Sequence, residues 1–236
     1  MPFIRLLIEK GSTELTMKTR DRILTAALAL FNEEGEHKVS TNHLAAHMGM
    51  STGNLYYHFK NKQDIIYQLF LQHEAQIEAA LTLPKGANVD DKMTLEDKYS
   101  VMLGVFESLW QYRFIHLNLS QLLTTNPALQ VRYKAFYHTC LQKLDAVYLG
   151  LNEAGIIKIT PMQRRGLVTN TWINVTGWFA FLQSCVLEEG QSISKHMVEG
   201  GMHQVLQLES PYVSPEYQQE IQALMQNYHI GLIDAE

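Results

Sequence analysis

The chain has 236 residues, of which 46% are hydrophobic and 18% charged, and 24 acidic side chains outnumber 19 basic ones for a net charge of -5. That length can bury a core without disulfide staples, and two cysteines, Cys140 and Cys185, are too few for a disulfide framework, which points to reduced thiols in a cytoplasmic protein. No stretch reaches the roughly 18 apolar residues of a membrane-crossing helix. The opening MPFIRLLIEKG carries Arg5 and Glu9 where a secretion signal would be uncharged.

Met1 to Thr16 shows no sustained period and reads as a poorly ordered extension, with Met17 as a second candidate start of translation. From Thr19 the pattern is helical: Ile23, Ala27 and Phe31 are spaced by four, Leu24, Leu28 and Leu30 widen the stripe, and Gly35 supplies a stop. Ser40 or Thr41 can cap a second helix through Leu44, Ala45 and Met48 to Gly49, and Ser51 or Thr52 can cap a third over GNLYYHF. Asn61, three residues before Asp64, opens a long fourth helix that runs to about Leu81. Pro84, Gly86 and ANVDDKMT make a connection. Beyond it, Val105, Phe106, Leu109, Trp110, Leu141, Leu144, Val147 and Leu151 continue at helical spacing, with no strand-like alternation and no fixed repeat. The expectation is an all-α chain, with a helix-turn-helix domain over 17–64 and a larger helical body over 65–236.

Charge divides along the same line. Met17 to Lys62 holds six basic and four acidic residues, a balance of +2, while the remainder of the chain stands at -7. A net acidic chain is a poor partner for phosphate on totals, but a mildly basic module on an acidic body suits an anionic partner met by one domain alone.

The segment STNHLAAHMGMSTGNLYYHF has what a helix-turn-helix requires. Leu44, Met48, Met50 and Leu55 can form a shared core, Ala45 allows close helix approach, and Gly49 can take the positive φ of a tight turn. Together with TRDRILTAALALFNEEG before it and KNKQDII after it, the segment resembles the TetR family of bacterial transcriptional regulators over about Met17 to Phe70. MKTRDRIL, LFNEEGE and WQYRF are also similar to a branch that includes regulators of polyhydroxyalkanoate metabolism.

The resemblance implies a recognition helix in the major groove of double-stranded DNA, with Ser51, Thr52, Gly53 and Asn54 facing base edges. Asn54 can pair bidentately with adenine, and Gly53 lets the backbone come close; Ser51 or Thr52 can equally serve as the helix cap. By the same resemblance Tyr57 and His58 reach phosphate oxygens. Tyr56 either joins them or packs between the first and fourth helices, and Lys60, Lys62 and Thr41 hold the phosphate backbone, with Lys18 or Arg20 as further candidates. His43 and His47 have the spacing of a zinc pair but lack the intervening Glu and a third ligand, so no metal or other cofactor is expected. No nucleophile-and-base constellation and no phosphate loop gives an enzyme reading a foothold.

In the body, Phe106, Trp110, Phe114, Tyr133, Phe136, Tyr137, Cys140 and Trp172, with His138 and Trp178, can line an apolar cavity or fill the core. The family resemblance favours a pocket for a lipophilic or acyl-type effector. It also implies a homodimer, assigned to Pro161 to Glu188 and Ser194 to Leu208 through Leu167, Thr171, Trp172, Val175, Trp178, Phe179 and Leu182. The expected function is a ligand-responsive repressor bound as a dimer to a near-palindromic operator, with no membrane association. The alternative is a DNA-binding structural or cell-division protein without a small-molecule effector.

Overall fold

The computed structural model describes residues 18–82 and 92–231, so the predicted N-terminal extension and the Pro84–Gly86 connection lie outside the described residues. The chain forms two compact units that divide between Gln72 and His73, inside the fourth helix. Among the described residues every regular element is helical, apart from an isolated antiparallel bridge between Ile157 and Val213. No helix there is long and apolar enough to cross a membrane.

In the first unit, α1 is Thr19–Leu30, α2 Thr41–His47 and α3 Thr52–His58, and α4, Lys62–Ala80, begins there. The spacing-by-four stripe of α1 is the buried one: Ile23 and Ala27 are fully enclosed and Phe31 nearly so. After Leu30 the chain widens into a π turn, Phe31–Gly35, which ends where Gly35 takes φ 89°. Both short helices are capped as their sequences require. Ser40 Oγ accepts from the His43 amide at 3.1 Å, and Ser51 Oγ from the Asn54 amide at 3.2 Å. Between them Gly49 turns at φ 63°, and the Met50 amide returns to the Ala45 carbonyl at 3.0 Å, closing the turn. Leu44, Ala45, Leu55 and Phe59 form the small core, while Met48 and Met50 are half-buried at its edge. At α4, Asn61 Oδ1 accepts from the Asp64 amide, but Asp64 answers the Lys60 amide rather than that of Asn61, so the cap is shared over one more residue.

The second unit contains α5, Leu95–Gln111, the short α6, Arg113–Leu117, and α7, Leu119–Thr125, then α8, Pro127–Glu153, α9, Pro161–Phe181, α10, Lys195–Glu209, and α11, Gln218–Asn227. Thr94 with Asp97 and Thr160 with Gln163 are reciprocal capping boxes, and Pro127 and Pro161 occupy first turns, where the missing N–H costs nothing. Close approach rests on small residues. A Cβ on Gly201 of α10 would sit 2.7 Å from Phe106 of α5, and one on Gly104 would sit 2.8 Å from Ala80.

Candidate functional site

The capped turn presents one face of α3 to solvent. Ser51, Thr52, Gly53 and Asn54 are all exposed, and with the Ser51 hydroxyl holding the Asn54 amide N–H, the Asn54 side chain stays available for an external partner. Nothing but Ser51 Oγ, at 4.0 Å, lies near the position of a Cβ on Gly53, so folding alone places no steric demand for glycine there. Tyr57 is 85% exposed, a large apolar ring in water, with the half-buried His58 imidazole set edge-on 5.1 Å away. Tyr56 does not pack inward: its hydroxyl meets Thr41 Oγ at 3.0 Å, tying α3 to the first residue of α2 on the surface.

The two lysines differ. Lys60 is exposed. The Lys62 ammonium lies 2.7 Å from Glu36 Oε1 and 2.7 Å from the Glu36 carbonyl oxygen, over the Phe31 ring. Glu36 is buried, so Lys62 neutralises an interior carboxylate before it meets any external anion. Arg20 stacks its guanidinium 4.9 Å over Phe59. Thr41, Tyr56, Asn61, Lys62, Lys38 and His37 share the rim of a polar groove of about 360 Å³. His43 Nε2 is 3.6 Å from Glu34, and no group of three metal-ligating side chains occurs among the described residues.

The second unit holds a cavity of about 90 Å³ whose walls are almost wholly apolar. Of the aromatic and thiol residues expected there, Phe106, Tyr133, Phe136, Cys140 and Trp172 line it. Trp110, Phe114 and Tyr137 do not. Phe114 is spent in the core, Trp110 lies under the Arg113 guanidinium at 4.2 Å, and Tyr137 packs edge-on against Trp172 at 5.2 Å. His138 is exposed, and Trp178 is buried with its indole N–H on the Met197 carbonyl. Burial, then Glu78 and Glu74, pushes the Cys140 thiol up to about 12, which makes it an unreactive wall.

Sequence reasoning missed the polar part of this wall: His73, Lys98, His116, Tyr148, Thr171 and Glu209. The signal was present. Lys98 falls on the Leu95–Met102–Phe106 stripe and Glu209 on the Val198–Met202–Val205 stripe, each a charge where a helix points inward. The side chains assigned to a dimer face are likewise internal: Leu167, Thr171, Trp178, Phe179 and Leu182 are buried, and Trp172 and Val175 line the cavity. The exposed face of α9 is instead Met162, Gly166, Thr169, Ile173, Gly177 and Ala180.

Two family models match this chain in succession: that of bacterial regulatory proteins of the tetR family over residues 23–69, and the TetR bacterial transcriptional repressor model over 72–221. The chain belongs to the TetR family. A crystal structure of a TetR-family regulator from Marinobacter aquaeolei VT8 is 40% identical and superposes with a TM-score of 0.81, over 91% of this chain and 100% of that one. SmeT, the repressor of the Stenotrophomonas maltophilia multidrug efflux pump SmeDEF, is 20% identical with a TM-score of 0.56 over 85% of this chain and 93% of its own, a likeness of fold. An HTH-type transcriptional regulator of Staphylococcus aureus strain MRSA252 is 32% identical over 128 residues, 51% of this chain; the chain thus spans 62% of the length of that curated relative. As a TetR-family member the protein is a DNA-binding transcriptional regulator, with a helix-turn-helix unit followed by a helical body.

Proposed function

We propose that the protein is a homodimeric repressor whose α3 reads a near-palindromic operator and whose C-terminal unit holds a lipophilic small-molecule effector that releases it. In this reading Asn54 reads a base edge across a glycine-bared helix start. Ser51, Thr52 and Gly53 lie against the groove, and Thr41, Tyr56, Tyr57, His58, Lys60 and Lys62 position the duplex through its phosphates. The observation that carries the effector half is the apolar cavity lined by a few polar groups, the usual character of a small-molecule site. Release follows if the effector binds more tightly to a conformation that holds DNA poorly.

The exposed face of α9 supports dimerisation. Gly166, Gly177 and Ala180 are small and exposed around the exposed apolar Ile173, and small residues on one helix face let a second helix approach closely. Two-fold symmetry would then set two α3 helices about one turn of DNA apart. A footprint on the DNA upstream of its own gene, repeated with candidate metabolites, tests the whole reading: protection lost on addition of one metabolite is expected, and no protection at any concentration overturns it. A monomer in sedimentation with undiminished operator affinity overturns the dimer.

A further inference from the structure

Lys98 of α5 and Glu209, the last residue of α10, both line the cavity, with Nζ and Oε2 2.6 Å apart and side chains 5% and 2% exposed. Glu209 Oε1 accepts the Tyr148 hydroxyl proton at 2.9 Å, which leaves Thr171 to donate to the Tyr148 oxygen at 2.6 Å. Burial, reinforced by Glu209, holds the Tyr148 phenol well above its ordinary range, so it remains a neutral donor. Elsewhere on the wall His73 and His116 meet at 3.2 Å through their Nε2 atoms, and His73 Nδ1 meets Ser108 Oγ at 2.9 Å. Burial pulls both imidazoles down, His116 to about 4, and the pair is uncharged at neutral pH.

Every formal charge on this wall is therefore already compensated. An anion could reach Lys98 only beside the Glu209 carboxylate, and a cation could reach Glu209 only beside the ammonium. Neutral imidazoles offer neither of them a counter-charge, and stripping water from an ion with nothing to replace it is unfavourable. A hydroxyl or carbonyl oxygen meets no such obstacle. The Lys98 ammonium faces Glu209 Oε2 as an ion pair and points one N–H to Met102 Sδ at 3.6 Å, so a further N–H can donate to a ligand oxygen, while Glu209 Oε2 has no hydrogen-bond donor of its own among the described residues. A ligand hydroxyl can in turn donate to the Glu209 carboxylate. Most of the remaining wall, including Val101, Phe106, Leu109, Phe136 and Val147, is carbon, and its other polar groups, Tyr133, Cys140, Trp172 and Thr176, carry no formal charge.

From this we infer that the cavity takes a net-neutral, mainly apolar molecule bearing one hydroxyl or carbonyl oxygen, and rejects the carboxylate or ammonium ion of the same skeleton. The inference rests on the effector-binding reading above and narrows its lipophilic or acyl-type ligand to an uncharged one. At about 90 Å³ the cavity is smaller than the roughly 150 Å³ engineered void that holds benzene, so a short chain is the fitting probe, with flexible Met102 able to give way.

The test is calorimetric titration of the full chain with hexan-1-ol, hexanoate and hexylammonium. Saturable binding of hexan-1-ol is expected, with each ion weaker by about tenfold or more. Val175→Phe, which fills the cavity, should abolish the alcohol's heat. Glu209→Gln leaves the ammonium unopposed and should reverse the order, so that hexanoate overtakes hexan-1-ol. Equal or tighter binding of either ion to the unaltered chain overturns the inference, as does no binding of the alcohol; neither outcome depends on the variants folding. A parallel operator-release assay separates the two readings. Binding in the expected order without release of DNA overturns the release mechanism and leaves the ligand class standing. Release driven by hexanoate through the same cavity does the reverse.

Discussion

The two units place their polar chemistry in opposite environments. On α3 of the N-terminal unit Ser51, Thr52, Asn54 and Tyr57 stand in water, where a polar side chain costs nothing to keep and can be spent on an outside partner. In the C-terminal unit Lys98, Glu209, Tyr148, His73 and His116 are enclosed: Lys98 and Glu209 pair their charges, Tyr148 donates to Glu209 and the two imidazoles meet, while His116 Nδ1 and Glu209 Oε2 are left without a hydrogen-bond partner among the described residues. Substitutions on the first surface should therefore change DNA binding and spare stability, while substitutions of the paired groups inside the second should cost stability whatever they do to a ligand. The sharpest way to break this contrast is Lys98→Met, which strands the Glu209 carboxylate in the interior. The expected loss is about 3–5 kcal/mol, a fall in Tm of about 10 °C or more. Lys98→Met with Glu209→Gln should recover most of it, because no unpaired charge then remains. A single variant that melts with the unaltered protein would show the pair to be solvated.

The histidine pair gives the same contrast a pH axis. The folded-state pKa of His116 lies near 4, below the ordinary 6.5, so the unfolded chain binds the proton more readily. The stability His116 contributes is fully present above pH 6.5 and is lost as pH falls towards 4, on the order of 3 kcal/mol in all. His73, shifted in the same direction by burial and then by His116, steepens the fall. His116→Phe, which keeps the stacking on Phe179, should flatten this limb in denaturant titrations run from pH 7 to pH 4.

Lys62 crosses the divide. It sits in the exposed unit but is bonded like a residue of the body, with its side chain 22% exposed against a Glu36 side chain at 10%. Lys62→Ala should cost about 1–2 kcal/mol of stability before any effect on DNA is counted. Lys60→Ala should leave the melt unchanged and lower the salt slope of binding by about one. Asn54→Ala should also leave the melt unchanged and lose about 1–3 kcal/mol of discrimination between cognate and random DNA in mobility shifts. Equal losses on both sequences would remove Asn54 from base reading.

This division also explains what could be read in advance. Ser40, Gly49 and Ser51 act through their own neighbours in sequence, so caps, turn and helix order were legible from short spacings alone. The cavity was legible only as composition. Phe114 and Phe136 have the same pattern in sequence, and which of them meets a void depends on helices that close from distant parts of the chain. Lys98 and Glu209 are more than a hundred positions apart, and each taken alone is only a misplaced charge on an apolar stripe. Lys62 looked like a free cation because Glu36, its partner, is buried by a π turn and a 3-10 turn that periodicity does not announce.

Gly53 carries the smallest expected effect and the cleanest separation. It lies inside α3 with ordinary helical geometry, and a Cβ there would touch nothing closer than Ser51 Oγ at 4.0 Å. Folding alone would favour alanine, by about 0.5–1 kcal/mol, since glycine loses more conformational freedom in a helix. Gly53→Ala should therefore raise the melting temperature by a few degrees at most while weakening operator binding, because the added methyl stands where α3 meets the duplex. Gly49→Ala, at φ 63° with open space around it, should instead lower stability by about 1 kcal/mol through backbone strain alone. Opposite signs in the two melts, with DNA affinity falling for the stabilised variant, would show that the glycine of the turn is kept for the fold and the glycine of α3 for the partner. If Gly53→Ala binds the operator as tightly as the unaltered protein, the duplex does not approach α3 at that point.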